Sequence, residues 1–555
     1  MQKSIKMLFD FKHLYGFITT VIILMSLFVS SSFSQGILIK EHGDRMPLLM
    51  PDDFSEMKAV AWRVEPGKGD KSNPLIEGEM PWDAGSVMSY GTVLIDPIDG
   101  LWKAWIFGGP AVESTVEDLN TKNKSNKANE KSLHLEYFES KDGVHWTRPE
   151  LPNPYGEYKT TNLIFDGNVA GGRRWASVIV NPDNKEWPYE MFIYANIHKE
   201  RSYLEKLWDQ GYSMLSRYRS KDGKAWECIN DNIKGPMDSA VSFVYPDGKG
   251  GYITYYCELR DVRESDYKPV WDYAVASGAV RTVSRAVSKD GDNFVRKPDR
   301  ILVDKDVRDH PDAEYFELVP IKVKGGYISM ITMDFPISST LNLRMGVSRD
   351  GINWWYPDRR QCLDNAPLGD YGGGMIFQTK NLIVLNDTLY VYYGGSEGVH
   401  ADLYDTNLKT HIKAGMEYVA DKPTGGLPAN GALCRALWRF DRMYALVPAA
   451  GGPTLGTAVT KESDLTGKKL HVNLKTRPPK KVSKPGFDEG YLQVELLDSE
   501  GDPISGFTRT DCSMIKGDHK AIQVKWAGGE KAPKGAKKAK FYLKRTFLYG
   551  FEFYK

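Results

Sequence analysis

The chain has 555 residues, with 73 lysines and arginines against 72 aspartates and glutamates, for a formal net charge of +1. That length exceeds one ordinary core and fits one large repeat domain plus a smaller one, and the balanced charge argues against nucleic acid as a partner. The five cysteines, Cys228, Cys257, Cys362, Cys434 and Cys512, contain no CxxC pair, which excludes a zinc ribbon and a dense disulfide framework.

At the N-terminus, Lys3, Lys6 and Lys12 lead into an apolar run from Leu14 to Val29 and then small residues ending in Ser32-Phe33-Ser34. This is the layout of a secretory signal peptide, with cleavage expected after Ser34; an uncleaved anchor is the alternative. Gln35 would then come first. No cysteine stands at the junction, so lipid attachment is not expected, and no later run is apolar for long enough to cross a bilayer. The expected location is secreted or periplasmic, with no stable membrane span after cleavage.

One seven-residue pattern occurs four times: Ser140-Lys141-Asp142-Gly143-Val144-His145-Trp146, Ser220 to Trp226, Ser288 to Phe294 and Ser348 to Trp354. Asp-Gly supplies the positive φ of a tight turn, Ser and Asp side chains bond nearby backbone amides, and the aromatic tucks back between sheets. Spacings of roughly sixty to eighty residues suit a four-stranded propeller blade with long loops. Inner strands are expected at Gly91 to Ile95, Ala176 to Val180, Ala240 to Val244, Phe316 to Pro320 and Gly372 to Phe377. The fifth unit lacks the box, and Ala59 to Val64 is expected to complete its outer strand and close the ring. After Leu446 the texture changes to short strands between Gly and Pro turns, which reads as a β-sandwich. The expectation is an all-β chain: signal peptide 1–34, five-bladed β-propeller 35–450 and C-terminal β-sandwich 451–555.

The S-[KR]-D-G-x-x-[WF] boxes, the phrase Val93-Leu94-Ile95-Asp96-Pro97-Ile98-Asp99-Gly100 and the appended sandwich resemble the five-bladed propeller glycosidases. These include the invertase and inulinase group and the arabinanase and xylosidase group. Gly490 to Asp498, Gly506-Phe507, Asp511-Cys512 and Gly517-Asp518 resemble a closing domain of glycosidases encoded in polysaccharide-degradation clusters of marine Bacteroidetes and Planctomycetes. The resemblance implies an Asp at the start of the first inner strand, a second Asp one blade on and a Glu on the third. Asp83 fits the first of these.

Propellers bind ligands where loops enter the innermost strands. Polar residues ahead of those strands are Asp83, Arg173 and Arg174, Asp238, the run Arg308 to Tyr315, and Asp370-Tyr371; Glu397 and His400 follow the fifth unit's second strand. Glycoside hydrolysis needs one protonated and one ionised carboxyl, for which Asp83 as base or nucleophile and Glu314 as acid are the preferred pair, with Asp238 a further catalytic candidate. Arg173, Arg174, Tyr371, Asp370, Glu397 and Trp82 are candidate substrate contacts, and a double arginine suits a carboxylate or sulfate. A second chemistry fits the same rim: His310 or His400 as base for C5 proton abstraction from a uronic acid, making the chain a lyase or a dehydratase of oligosaccharide ends. A third reading is a non-catalytic glycan-binding propeller with Trp82, Trp175 and Tyr315 as stacking platforms. No cofactor is expected, although Asp309, His310, Asp312 and Glu314 carry hard ligands suited to a structural calcium. The expected partner is an oligosaccharide or polysaccharide of plant or algal origin.

Overall fold

The computed structural model describes residues 46–83, 85–109, 134–166, 173–195, 215–231, 233–236, 242–261, 279–310, 312–335, 338, 340–367, 369–398, 431–449, 455–478 and 489–555. The expected signal segment lies outside them. Among them the elements are β-strands with short 3-10 turns, and no helix is long and apolar enough to cross a membrane.

Five groups of antiparallel strands follow one another along the chain, the fourth and fifth joined into one nine-stranded sheet by a parallel pairing of Leu341 with Met375. The first contains Val87–Ile95, Trp102–Gly108, His134–Ser140 and Trp146–Thr147. The second contains Arg173–Val180, Tyr189–Ala195, Leu215–Ser220 and Trp226–Asn230. The third contains Ser242–Pro246, Tyr252–Asp261, Ala279–Ser288 and Val295–Arg296, and the fourth Glu314–Val323, Gly326–Phe335, Thr340–Ser348 and Trp354–Trp355. The fifth is built on Met375–Gln378, Thr388–Ser396 and Gly431–Arg439. The opening strands are apolar and buried nearly throughout, as strands covered on both faces must be. Each sheet packs on the next, and the fifth packs back on the first, so the series closes on itself.

The strand that completes the fifth sheet is Lys68–Gly69, paired with Leu437 and Ala436. This corrects the expectation of Ala59 to Val64. Val60–Val64 instead pairs with Tyr444–Pro448, because Trp62 is drawn to Trp355 and Tyr444, with ring centroids 5.0 and 6.2 Å away. The two-residue strand is anchored by polar bonds: Asn73 Nδ2 donates to the Arg435 carbonyl at 2.9 Å, and Arg435 Nε to Asp70 at 2.6 Å.

The four boxes take the turn geometry their sequence demands. In every copy the glycine amide donates to the serine Oγ at 2.9 Å, and the aspartate Oδ1 accepts two following amides at 2.8 to 2.9 Å. The glycines have φ between +72° and +82°. Each box also latches onto the preceding sheet. Tyr392 of the fifth sheet donates to the Gly143 carbonyl at 2.7 Å, Trp105 of the first to Gly223 at 2.7 Å, Arg217 of the second to Asp290 at 2.7 Å, and Tyr255 of the third to Gly351 at 2.8 Å.

Two further sheets surround a separate core that includes Leu470, Val472, Leu492, Val494 and Phe541. One is ordered Phe54–Lys58, Gly456–Thr460, Lys538–Lys544, Tyr491–Leu497; the other Val60–Val64, Tyr444–Pro448, Thr546–Tyr554, Lys469–Thr476, Asp518–Gln523. Strands from both ends of the described chain therefore build this unit.

Candidate functional site

Antiparallel pairing gives the ring two unlike ends. At one end, short turns join first to second strands, as from Ile95 to Trp102 and from Val323 to Gly326, and the boxes join third to fourth. At the other end four second-to-third connections are long, running from Gly108 to His134, Ala195 to Leu215, Asp261 to Ala279 and Ser396 to Gly431, while the fourth sheet's is short, from Phe335 to Thr340. Side chains from neighbouring sheets meet at this second end: the Gly431 amide donates to Ser86 Oγ at 3.0 Å, and Arg281 reaches Glu314.

Asp83 stands there, in the turn before the first inner strand, and is fully buried. Its Oδ2 accepts the amides of Glu79 and Met80, both at 3.0 Å. Arg148, which follows the first sheet's outer strand, grips Asp83 Oδ2 through Nη2 at 2.7 Å and Glu136 Oε2 through Nη1 at 2.7 Å. Its Nη2 also donates to the Glu77 carbonyl at 2.9 Å. Glu136 lies on the strand His134–Ser140, fully buried, and its Oε2 accepts Asn162 Nδ2 at 2.9 Å. Burial, and then the charge of Asp83, hold the Glu136 carboxyl well above the usual carboxylate range. His134, two residues earlier on the same face, is buried, and burial brings its imidazole down to about 4 against the opposing pull of Asp83.

A second group of the same design joins the third and fourth sheets. Arg281 Nη1 donates to Glu314 Oε2 and to Asp334 Oδ2, each at 3.1 Å, and both carboxyls are buried. Sequence reasoning reached Asp83 and Glu314 but missed Glu136, Asp334 and the two arginines. The available signal was a charged residue inside an apolar strand, as in Leu135-Glu136-Tyr137-Phe138, since such a group needs a partner when buried.

Arg173 and Arg174 open the second inner strand, paired with Ala195 and Tyr194; their side chains, like all of Asp238 and His400, lie outside the described residues. Tyr371 donates to Glu77 Oε1 at 3.1 Å, and burial with this bond pushes its hydroxyl up to about 12. Asp370 is exposed and Glu397 half-buried. His310 is 64% exposed, its Nδ1 bonded to the buried Asp312. Asp309 is held by Arg344 and Arg359, both at 2.6 Å. The acids of the run considered for calcium thus face different partners, and among the described residues no three His, Cys, Asp or Glu side chains converge as a metal site.

Two proposed stacking platforms present no open face. Trp82 is buried, with Nε1 donating to Asn162 Oδ1 at 2.8 Å, and Tyr315 is fully buried, its hydroxyl on Asp309 at 3.0 Å. The exposed aromatic nearby is Tyr158, 39% exposed and packed edge-on against Trp82 at 5.6 Å. All five cysteines are free thiols, and only Cys228 is exposed.

No protein-family model matches the chain, and no curated protein sequence matches it. Among solved structures, a candidate glycosidase from Bacteroides thetaiotaomicron is 13% identical, with a TM-score of 0.40 covering 67% of this chain and 96% of its own. A β-1,2-mannobiose phosphorylase from Listeria innocua is 15% identical, with a TM-score of 0.39 covering 68% and 98%. An N-acetylgalactosamine deacetylase from F. plautii is 14% identical, with a TM-score of 0.36 covering 75% and 97%. Candidate glycosidases of Bacteroides are thus among the structures this chain is similar to, the group its sequence resembles. Likeness at these TM-scores carries no argument about what the chain does.

Proposed function

We propose that the chain is a secreted, carbohydrate-active five-bladed β-propeller with a C-terminal β-sandwich, and that it hydrolyses glycosidic bonds in oligosaccharides of plant or algal origin. The five successive sheets, each packed on the next, read as blades. The observation that carries the reading is the placement of Asp83 and Glu314. Each stands where an inner strand begins, on the first and fourth sheets, at the end that carries the long connections. These two sheets are not neighbours in the series, and hydrolysis calls for two carboxyls set apart on either side of the scissile bond. Asp83 and Glu136 do not flank a sugar in the same way: Arg148 Nη1 lies 3.3 Å from Asp83 Oδ1 and 2.7 Å from Glu136 Oε2, and both carboxyls are buried together.

One observation favours a second reading. The exposed His310 imidazole has Nδ1 engaged by a buried carboxylate, an arrangement that orients Nε2 as a general base. Abstraction of a C5 proton from a uronate would make the chain a lyase or dehydratase. The test is incubation with neutral and uronate-containing algal oligosaccharides, following mass together with absorbance near about 235 nm, where a conjugated product of proton abstraction absorbs. Gain of water without absorbance, abolished in Asp83→Asn and in Glu314→Gln, supports hydrolysis. Rising absorbance that His310→Ala removes supports elimination, and full activity in both acid variants rejects the hydrolase pair.

A further inference from the structure

The group of Asp83, Glu136 and Arg148 contains two carboxyls and one guanidinium, all closed off from water except for the 17% of the Arg148 side chain that is exposed. With both acids ionised it would bury a net negative charge, a costly state without a second cation. His134, also on this face, is a neutral imidazole at ordinary pH. The opposing strand Trp102–Gly108 meets Glu136 with the backbone of Gly108, where an added Cβ would lie 1.8 Å from Glu136 Oε1.

The two acids are served unequally. Asp83 accepts two backbone amides and both terminal nitrogens of Arg148. Glu136 Oε2 accepts one nitrogen of Arg148 and the Asn162 amide, while its buried Oε1 meets no donor among the described residues, and the Asp83 side chain beside it favours the protonated form. Donors stabilise the ionised form and their absence leaves the protonated one. We infer that the group of Asp83, Glu136 and Arg148 holds a proton at neutral pH, resident on Glu136, and that Glu136 is thereby the positioning residue that keeps Asp83 and Arg148 in place. The part about Asp83 as a reacting group rests on the hydrolase reading above; the proton on Glu136 stands on the group itself.

The linkage has a definite sign. A carboxyl held above its unfolded value makes stability fall as pH rises from the ordinary glutamate range toward the folded value, because the folded chain must then give up a proton that the unfolded chain has already lost. Glu136→Gln reproduces the protonated shape without the proton. The experiment compares the wild-type chain and Glu136→Gln by thermal unfolding from about pH 5 to 9, spanning that window, and by infrared difference spectroscopy of the protonated-carboxyl stretch. The expected result is a Tm that falls with pH in the wild type by more than in the variant, and a protonated-carboxyl band at neutral pH that the substitution removes. Parallel Tm profiles, or a wild-type spectrum without that band, overturn the proton on Glu136. Because burial also pushes the Glu317 carboxyl up to about 8, the infrared arm is repeated on Glu317→Gln, where the band of Glu136 is expected to persist; its absence there overturns the proposal even if Glu136→Gln does not fold. On a hydrolysed substrate, the alkaline limb of kcat/KM is expected to move by about one pH unit or more in Glu136→Gln. An unmoved limb alongside a confirmed band overturns the positioning role of Glu136 and leaves its proton standing.

Discussion

The two ends of the ring use aspartate and glutamate in opposite ways. At the box end, Asp142, Asp222, Asp290 and Asp350 each accept two backbone amides, and all four are held below the usual carboxylate range: Asp142 and Asp290 first by the side chains of His145 and Asn293 and then by these amides, Asp222 and Asp350, against the opposing pull of burial, by the amides. At the end with long connections the acids are buried in twos around a single arginine, and Glu136 is held high. What separates the ends is the access of water and, at Glu136, the count of donors as well. A box turn supplies its own donors and repeats without cost to its neighbours. Asp83 and Glu136 share one distant cation between them and are therefore the more fragile arrangement.

Arg148→Met tests that fragility most severely. It strands two carboxyls that share one guanidinium, and breaking a buried ion pair by removing one partner costs about 3–5 kcal/mol. Urea unfolding is expected to show that loss at neutral pH, with the deficit shrinking toward low pH as the second acid takes up a proton. Adding Asp83→Asn in the same chain should recover part of it. A loss below about 1 kcal/mol, the scale of a surface pair, would mean that the group is solvated and that the contrast between the ends is wrong.

An acid and a base also meet between the two ends, and they sharpen the comparison. Glu317, on the fourth inner strand, accepts the Thr332 hydroxyl at 2.8 Å, and burial pushes its carboxyl up to about 8. Lys380 is buried with Nζ 3.5 Å from the centroid of the Phe243 ring and, among the described residues, without a hydrogen-bond partner, and burial brings it down to about 7. A buried unsatisfied polar group costs about 1–3 kcal/mol, so Lys380→Met is expected to raise stability by that order. The sign with pH follows from the lysine. Its folded value lies below its unfolded one, so the wild type is penalised most below about pH 7 and recovers as pH rises toward about 10. The advantage of the variant should therefore be largest in acid and fade in alkali, as measured by Tm across that range.

The sequence spoke clearly where structure is local. Box geometry follows from Ser, Asp and Gly within seven residues, and the opening strands announce themselves as unbroken apolar runs. Asp83 and Glu314 stand out as candidates because both directly precede or begin such a run. The closing strand was not, since Lys68–Gly69 carries no pattern of its own and is held by Asn73 and Arg435 from afar. Glu136 needed knowledge of Arg148, and Asp334 of Arg281, pairings that only the register of the sheets creates. The burial of Trp82 and Tyr315 was hidden for the same reason: an aromatic beside a predicted rim looks identical whether its face is open or covered.

Gly223→Ala tests the box end with a smaller effect. The residue sits at φ +76° with Trp105 2.9 Å from the position of an added Cβ, so both backbone strain and the latch to the first sheet are disturbed. Destabilisation of about 1–3 kcal/mol is expected, with kcat unchanged because the box lies at the far end from the acids. A loss of kcat without loss of Tm would place this box in the catalytic machinery and erase the division between the ends.

The smallest effect belongs to Asp290→Ala. It removes a largely exposed carboxylate that accepts the amides of Asp292 and Asn293, both at 2.9 Å, and the side-chain amide of Asn293 at 2.9 Å. Water can replace these bonds, so the expected cost is about 1 kcal/mol, the net worth of ordinary hydrogen bonds. Because the aspartate is held below its unfolded range, its contribution is present above the ordinary aspartate value and is lost as pH falls through the lower folded one. Wild type and variant should therefore converge in Tm at strongly acid pH and separate above about pH 4, the ordinary range of the group. Glu136→Gln is expected to give the mirror image, meeting the wild type in acid and exceeding it in alkali. Two single substitutions with opposite pH slopes, one at each end, would then show that donor count and access to water set the behaviour of these acids; parallel slopes would mean that the ends differ in loop length alone.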